Sequence, residues 1–98
     1  MTKLEALELE KKCDELMSEY LDRDCCVSLA LTGRLKVLFG DGDYITLSKD
    51  NKSASYVNFQ GYYSDLEEYI STIVRCIEEN NDVFNKLIWS YENLNELE

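Results

Sequence analysis

Carboxylate, lysine, tyrosine and cysteine are the side chains here that could do chemistry, because the 98 residues contain no histidine. Histidine is the commonest general acid/base and the usual partner of a serine or cysteine nucleophile, so its absence removes most hydrolytic and transfer mechanisms. The four cysteines are Cys13, Cys25, Cys26 and Cys76, with no C-x-x-C pair. A cysteine nucleophile needs a helix N-terminus or neighbouring bases, whereas Cys13 and Cys76 fall in the middle or late part of acidic helical segments. Cys25 and Cys26 are chain neighbours that point to opposite faces of a strand and are poor disulfide partners. Free, mostly buried thiols in a reducing cytoplasm are expected. No G-x-S-x-G, P-loop or dinucleotide-binding glycine pattern is present. Asp41-Gly42-Asp43 places carboxylates at alternate positions, as a calcium loop would, but the next ligand position holds Ile45 and no closing glutamate follows. Asp-Gly between alternating runs is a hairpin signal instead, with Asp43 expected as an exposed acid beside the turn. The expectation is a protein without catalytic residues, metal or cofactor.

Charge narrows the class further. Twenty acids against ten bases give a net charge of −10, a field that repels nucleic acid and anionic membrane and attracts basic protein surfaces. Residues 1–24 carry eight acids and four bases, residues 25–60 three and four, and residues 61–98 nine and two. Both ends are therefore acidic around a nearly neutral middle. Hydrophobic residues at 45% and aromatics at 11% supply a core, unlike acidic disordered tails. The length is that of one small domain, here residues 1–98. No N-terminal apolar run resembles a signal peptide, and the longest apolar run is far short of the ~20 residues of a membrane span.

The elements that must position these groups follow from periodicity. Thr2 with Glu5 makes a capping box, and Ala6, Leu9, Cys13, Leu16 and Tyr20 recur at helical spacing, predicting a helix from Lys3 to Leu21. From Cys25 the period becomes two, with Val27, Leu29 and Leu31 on one side of a strand. A Thr32-Gly33 turn leads to Leu35, Val37 and Phe39, and Gly40 to Asp43 turns the chain into a third strand over Tyr44 to Ser48. Lys49 to Lys52 reads as a polar turn and Ser53 to Gln60 as a fourth run. Ser64 with Glu67 repeats the capping-box signature before Leu66, Tyr69, Ile70, Ile73, Val74 and Ile77, a helix to about Glu79. Asn80 and Asn81 break it, Asn81 or Asp82 caps a third helix, and Val83, Phe84, Leu87, Ile88, Tyr91 and Leu94 form its stripe. The fold class is α+β: an N-terminal helix, a three- to four-stranded antiparallel meander and two C-terminal helices packed on the sheet.

Within that frame the acids of the last two helices stand out. Asp65, Glu67 and Glu68 occupy a first helical turn, where the dipole favours negative charge. Glu78 and Glu79, and then Glu96 and Glu98, lie near helix ends, where an acid typically costs about 0.3–1 kcal/mol. Two accounts of their placement stand side by side: a binding role, or solubility supplied by exposed acids in a terminal turn that frays. Tyr62 and Tyr63 precede the helix, one as a hydrophobic staple and the other exposed, and exposed tyrosine among carboxylates suits an interface anchor. Trp89 lies off the main stripe and is also expected at the surface.

The order helix, antiparallel sheet, two acidic helices, within fewer than a hundred residues, resembles the small acidic type II anti-CRISPR proteins of phages. That resemblance covers nearly the whole chain and rests on architecture and charge. It implies an inhibitor in a bacterial cytoplasm whose carboxylates imitate DNA and occupy the arginines and lysines that read the PAM of a CRISPR-associated nuclease. The matching partner-binding candidates are Asp41, Asp43, Glu67, Glu68, Glu78, Glu79 and Asp82, with Tyr62 or Tyr63 as anchors. An immunity protein against a basic nuclease toxin follows the same charge logic. A structural adaptor is a further alternative, in which Trp89, Leu38 and the acidic helices build a homo- or hetero-oligomer.

Overall fold

The computed structural model describes residues 1–97, so the expectation for Glu98 lies outside the described residues. Helix α1 (Lys3–Leu21) precedes strands β1 (Cys25–Leu29), β2 (Leu35–Phe39), β3 (Tyr44–Leu47) and β4 (Ala54–Asn58). Helices α2 (Tyr63–Glu79) and α3 (Asn81–Glu92) follow, with a short 3-10 turn over Leu94–Glu96. The strands form one antiparallel sheet in the order β1-β2-β3-β4, so the architecture is α+β, with a four-stranded meander between one helix and two.

Local chemistry explains each boundary. The Thr2 hydroxyl accepts the Glu5 N–H at 3.1 Å and the Glu5 carboxylate accepts the Thr2 N–H at 3.3 Å, which starts α1. Asp22 ends it in the left-handed region at φ 52°, donating its N–H to Glu19 and Ser18 carbonyls. The first two hairpins share one plan. Ala30 N–H bonds Arg34 O at 2.8 Å and Phe39 N–H bonds Asp43 O at 2.9 Å, each closing three residues. The third of these is a glycine at positive φ, Gly33 at 82° and Gly42 at 95°, a conformation costly for other side chains.

Register decides which side of the sheet is covered. Val27, Val37, Ile45 and Val57 stand opposite one another in successive strands, flanked by Cys25 with Phe39 and Leu29 with Leu35. This face meets the helices, and Met17, Val37, Ile45, Leu47, Ile73, Phe84 and Leu87 are fully buried in the joint core. Helix α1 packs on β1 and on both α2 and α3, which touch each other little. The opposite face carries the rows Cys26, Leu38, Tyr44, Asn58 and Ser28, Lys36, Thr46, Tyr56. Tyr44 and Tyr56 stack there with centroids 6.0 Å apart, and Lys36 Nζ lies 4.2 Å from the Tyr44 ring centre. Neither row contains a carboxylate.

Several sequence expectations shift. The buried seam of α1 runs through Cys13, Met17 and Leu21, with Leu9, Leu16 and Tyr20 packed beside it. Leu31 belongs to the first hairpin turn and is fully exposed, because β1 ends at Leu29. Helix α2 starts at Tyr63 with Tyr62 as its N-cap and no side-chain capping bond, so Ser64 and Glu67 form no capping box. Asn80 alone separates α2 from α3, and neither Asn81 nor Asp82 caps the latter. Leu94 lies beyond α3 and is exposed. Cys13, Cys25 and Cys76 are buried free thiols, whereas Cys26 is exposed on the uncovered sheet face.

Candidate acidic binding surface

Among the described residues Arg23 with Asp41 is the one ion pair, so nearly all of the acidic excess is uncompensated. The exceptions are carboxylates that the fold uses. Asp14 on α1 accepts the Val27 N–H at 2.7 Å, and four residues on Ser18 Oγ accepts the Cys25 N–H and donates to the Cys25 carbonyl, both at 3.2 Å. The i, i+4 spacing puts both side chains on one helix face, which thereby satisfies the outer edge of β1. Burial raises the Asp14 carboxyl above its ordinary range despite the Val27 N–H, which pulls the other way. Asp50 accepts the Ser48 hydroxyl at 2.6 Å and the Lys52 N–H at 3.1 Å inside the third turn, and these bonds hold it below the usual carboxylate range.

Two of the candidates from the β2–β3 turn are likewise structural. Asp41 Oδ2 lies 2.5 Å from Arg23 Nη2 and Asp41 Oδ1 accepts the Asp43 N–H at 3.1 Å. Arg23 in turn lies 4.3 Å from the Phe39 ring centre, so the pair ties the turn to the end of α1. Asp43 is only 7% exposed, which corrects the expectation of an exposed acid. It follows the left-handed Gly42 and enters the close of the hairpin, where the Phe39 pairing pulls it inward.

On α2 the candidates divide by face. Tyr20 Oη donates to Glu79 Oε1 at 2.7 Å, and Asn80 Nδ2 donates to Tyr20 Oη at 3.3 Å and to the Cys76 carbonyl at 2.9 Å. The bond to Glu79 raises the Tyr20 hydroxyl above its ordinary range. Glu79 therefore has a local reason to end α2: it anchors α1 at the bend into α3. Glu67, Glu68, Glu78 and Asp82 are exposed, and among the described residues none joins an ion pair. Asp82 lies in the first turn of α3, where the dipole accommodates it. Tyr62 and Tyr63 are 81% and 73% exposed, so neither acts as a staple.

Tyr63, Glu67, Ile70, Ser71 and Val74 border one shallow depression with Lys52 of the β3–β4 turn. Glu78 continues the row one turn beyond Val74, and Glu67 and Glu78 lie roughly 16 Å apart along the axis at the helical rise. Val74, expected in the core, is half-buried on this outer row. The row thus has an aromatic end, an apolar centre in Ile70 and Val74, and unpaired carboxylates. The Tyr63, Glu67, Ser71, Val74, Glu78 spacing was visible in the sequence, but the stronger Leu66 to Ile77 stripe masked it. A more enclosed depression of about 440 Å³ lies elsewhere, lined by residues that include Arg34, Lys49, Ile88 and Glu92. It mixes charge signs.

Burial pushes the Cys13 and Cys76 thiols up to about 12, and Cys25 is raised for the same first cause. These are thiols in the neutral form, packed as small hydrophobes. Among the described residues no group of three or more potential ligands could hold a metal ion, and no helix is long and apolar enough to cross a membrane. No family model matches the chain, and comparison with curated proteins and with solved structures found no match.

Proposed function

We propose that this chain is a non-catalytic cytoplasmic inhibitor that occupies a basic, nucleic-acid-reading surface of another protein. The observation that carries the proposal is the outer row of α2, with exposed Tyr63 at its start and the unpaired carboxylates Glu67 and Glu78 along it, while Glu68, Asp82 and Tyr62 are exposed elsewhere on the same two helices and their approach. Carboxylates with no internal cation keep their attraction for an external one, and a rigid helix fixes their spacing in advance. Tyrosine adds apolar area at low entropic cost beside them. Asp41 and Glu79 support this surface through Arg23 and Tyr20, and Asp43 supports the turn from within.

The partner we favour is a CRISPR-associated nuclease, by the architectural and charge resemblance to acidic anti-CRISPR proteins. Its PAM-reading site presents arginines and lysines shaped for phosphates and base edges. Competition for those groups needs no covalent step. The inhibitor binds, the DNA duplex is excluded, and unwinding never begins.

Association in such a pair is steered by charge, so its rate constant falls steeply as salt rises while dissociation changes less. Stopped-flow or surface kinetics with guide-loaded nuclease at low and high salt check this. An association rate indifferent to salt would contradict it and favour an oligomeric adaptor.

A further inference from the structure

Tyr63, Glu67, Ile70, Val74 and Glu78 follow one another along one side of α2 at three- and four-residue steps, beside the shallow depression that α2 shares with Lys52. The half-buried pair Ile70 and Val74 is bracketed by Glu67 and Glu78, exposed and, among the described residues, in no ion pair. Those two carboxylates stand eleven positions apart, on nearly the same face and roughly 16 Å from one another along the axis. The row is made of side chains alone, because the backbone of a helix interior is spent on its own bonds. The neighbouring edge of β4 adds little. A register shift beside Leu47 interrupts its pairing with β3, and in the regular stretch only Val57 turns its backbone outward.

We propose that this row of α2 receives an amphipathic helix of the partner, with lysine or arginine at positions i and i+11 and apolar residues at i+4 and i+7. The inference rests on the proposed binding role of α2 and specifies the shape of what binds there. A helix suits the row for two reasons. An extended segment lying on side chains buries backbone N–H and C=O groups without partners, whereas a helix brings its own already bonded. Spacing agrees. Eleven residues make about three whole turns, so cations at i and i+11 leave a helix on one face at roughly the 16 Å that separates Glu67 from Glu78. In a strand that distance is about five residues, and an odd step sends the second side chain to the opposite face. The apolar positions then meet Ile70 and Val74, as a helix does in an apolar groove. Lys52 stands on the opposite bank, so the flank of the occupant toward it is neutral or acidic. A second copy of this chain does not qualify. Among the described residues no helix carries bases eleven positions apart, and each copy carries −10.

The test uses the full chain and a blocked, alanine-based peptide with lysine at i and i+11 and leucine at i+4 and i+7. A control of the same composition carries its second lysine at i+9, on the opposite face of the helix. Binding is followed by calorimetry at low salt, and the conformation of the bound, carbon-labelled peptide is read from its NMR shifts. The proposal expects the first peptide to bind as a helix and the control to bind about threefold to fivefold more weakly, the scale of one exposed ion pair. Glu67→Lys and Glu78→Lys should each weaken the first peptide as well. Binding of neither peptide overturns the inference, and so does binding in an extended conformation. Equal binding of both peptides, still lost in Glu67→Lys, overturns the helical spacing while leaving the acidic surface intact. A chain that binds the first peptide as expected, yet leaves target DNA free to bind the nuclease, supports this inference and overturns the inhibitor reading.

Discussion

Asp14 Oδ1 accepts the backbone N–H of Val27 at 2.7 Å, joining the middle of α1 to the free edge of β1. The bond keeps that edge from pairing with other chains, and its cost is a carboxylate that burial makes harder to ionise. Asp14→Ala leaves the Val27 donor without its partner and should destabilise by about 1–3 kcal/mol. Asp14→Asn keeps an acceptor oxygen without the charge and should lose much less. The sign of the pH effect follows from the raised folded pKa: the contribution of Asp14 is fully present below its unfolded pKa and is lost as pH rises through the folded one. Asp50 and Glu5 run the other way, since hydrogen bonds lower them and their contribution is lost as acid protonates them. Carboxyl-carbon NMR titration should place the Asp14 midpoint above that of Asp50, a carboxyl of the same type that its hydrogen bonds lower. An Asp14 midpoint at or below that of Asp50 would contradict the burial argument.

Ile73 is 0% exposed on the seam of α2 while its neighbour Val74 lies half-buried on the outer row. Ile73→Ala should cost about 2–5 kcal/mol, the range for buried aliphatic truncation. Val74→Ala should cost clearly less. Equal losses in denaturant titrations would mean that α2 is rotated from the face described.

The thiols offer a chemical check on the same packing. Cys13, Cys25 and Cys76 are buried with raised pKa, and Cys26 is exposed. At pH 8 a thiol reagent should modify one cysteine rapidly in the folded protein and all four after denaturation. Peptide mapping should identify Cys26. Rapid modification of Cys13 or Cys76 without unfolding would contradict the assignment.

Helices and hairpins were legible in the sequence wherever one local rule sufficed. Thr2 with Glu5 marked the start of α1, the change of period at Cys25 marked β1, and Asp41-Gly42 marked a turn whose glycine is left-handed. Asp14, Asp43 and Glu79 were not legible in this way, because their surroundings come from other elements. Asp14 reads as one more acid on a charged face until β1 lies beside it. Asp43 reads as exposed by its charge, yet closing the hairpin draws it inside. Glu79 looks misplaced at a helix end until Tyr20 arrives from 59 positions away. Ser64 and Glu67 had the spacing of a capping box, but the helix began at Tyr63 and left them exposed.

A gel shift of guide-loaded nuclease with its target DNA tests the inhibitor proposal most directly. Inhibitor added before DNA should abolish the shifted complex, whereas inhibitor added after a stable complex has formed should displace little of it. Glu67→Lys with Glu78→Lys should weaken inhibition at unchanged thermal stability, since among the described residues neither side chain joins an ion pair. Glu79→Lys should lower stability as well, because it removes the Tyr20 bond. Full DNA binding at saturating inhibitor, even with cleavage stopped, would contradict DNA mimicry and point to a block of the catalytic step.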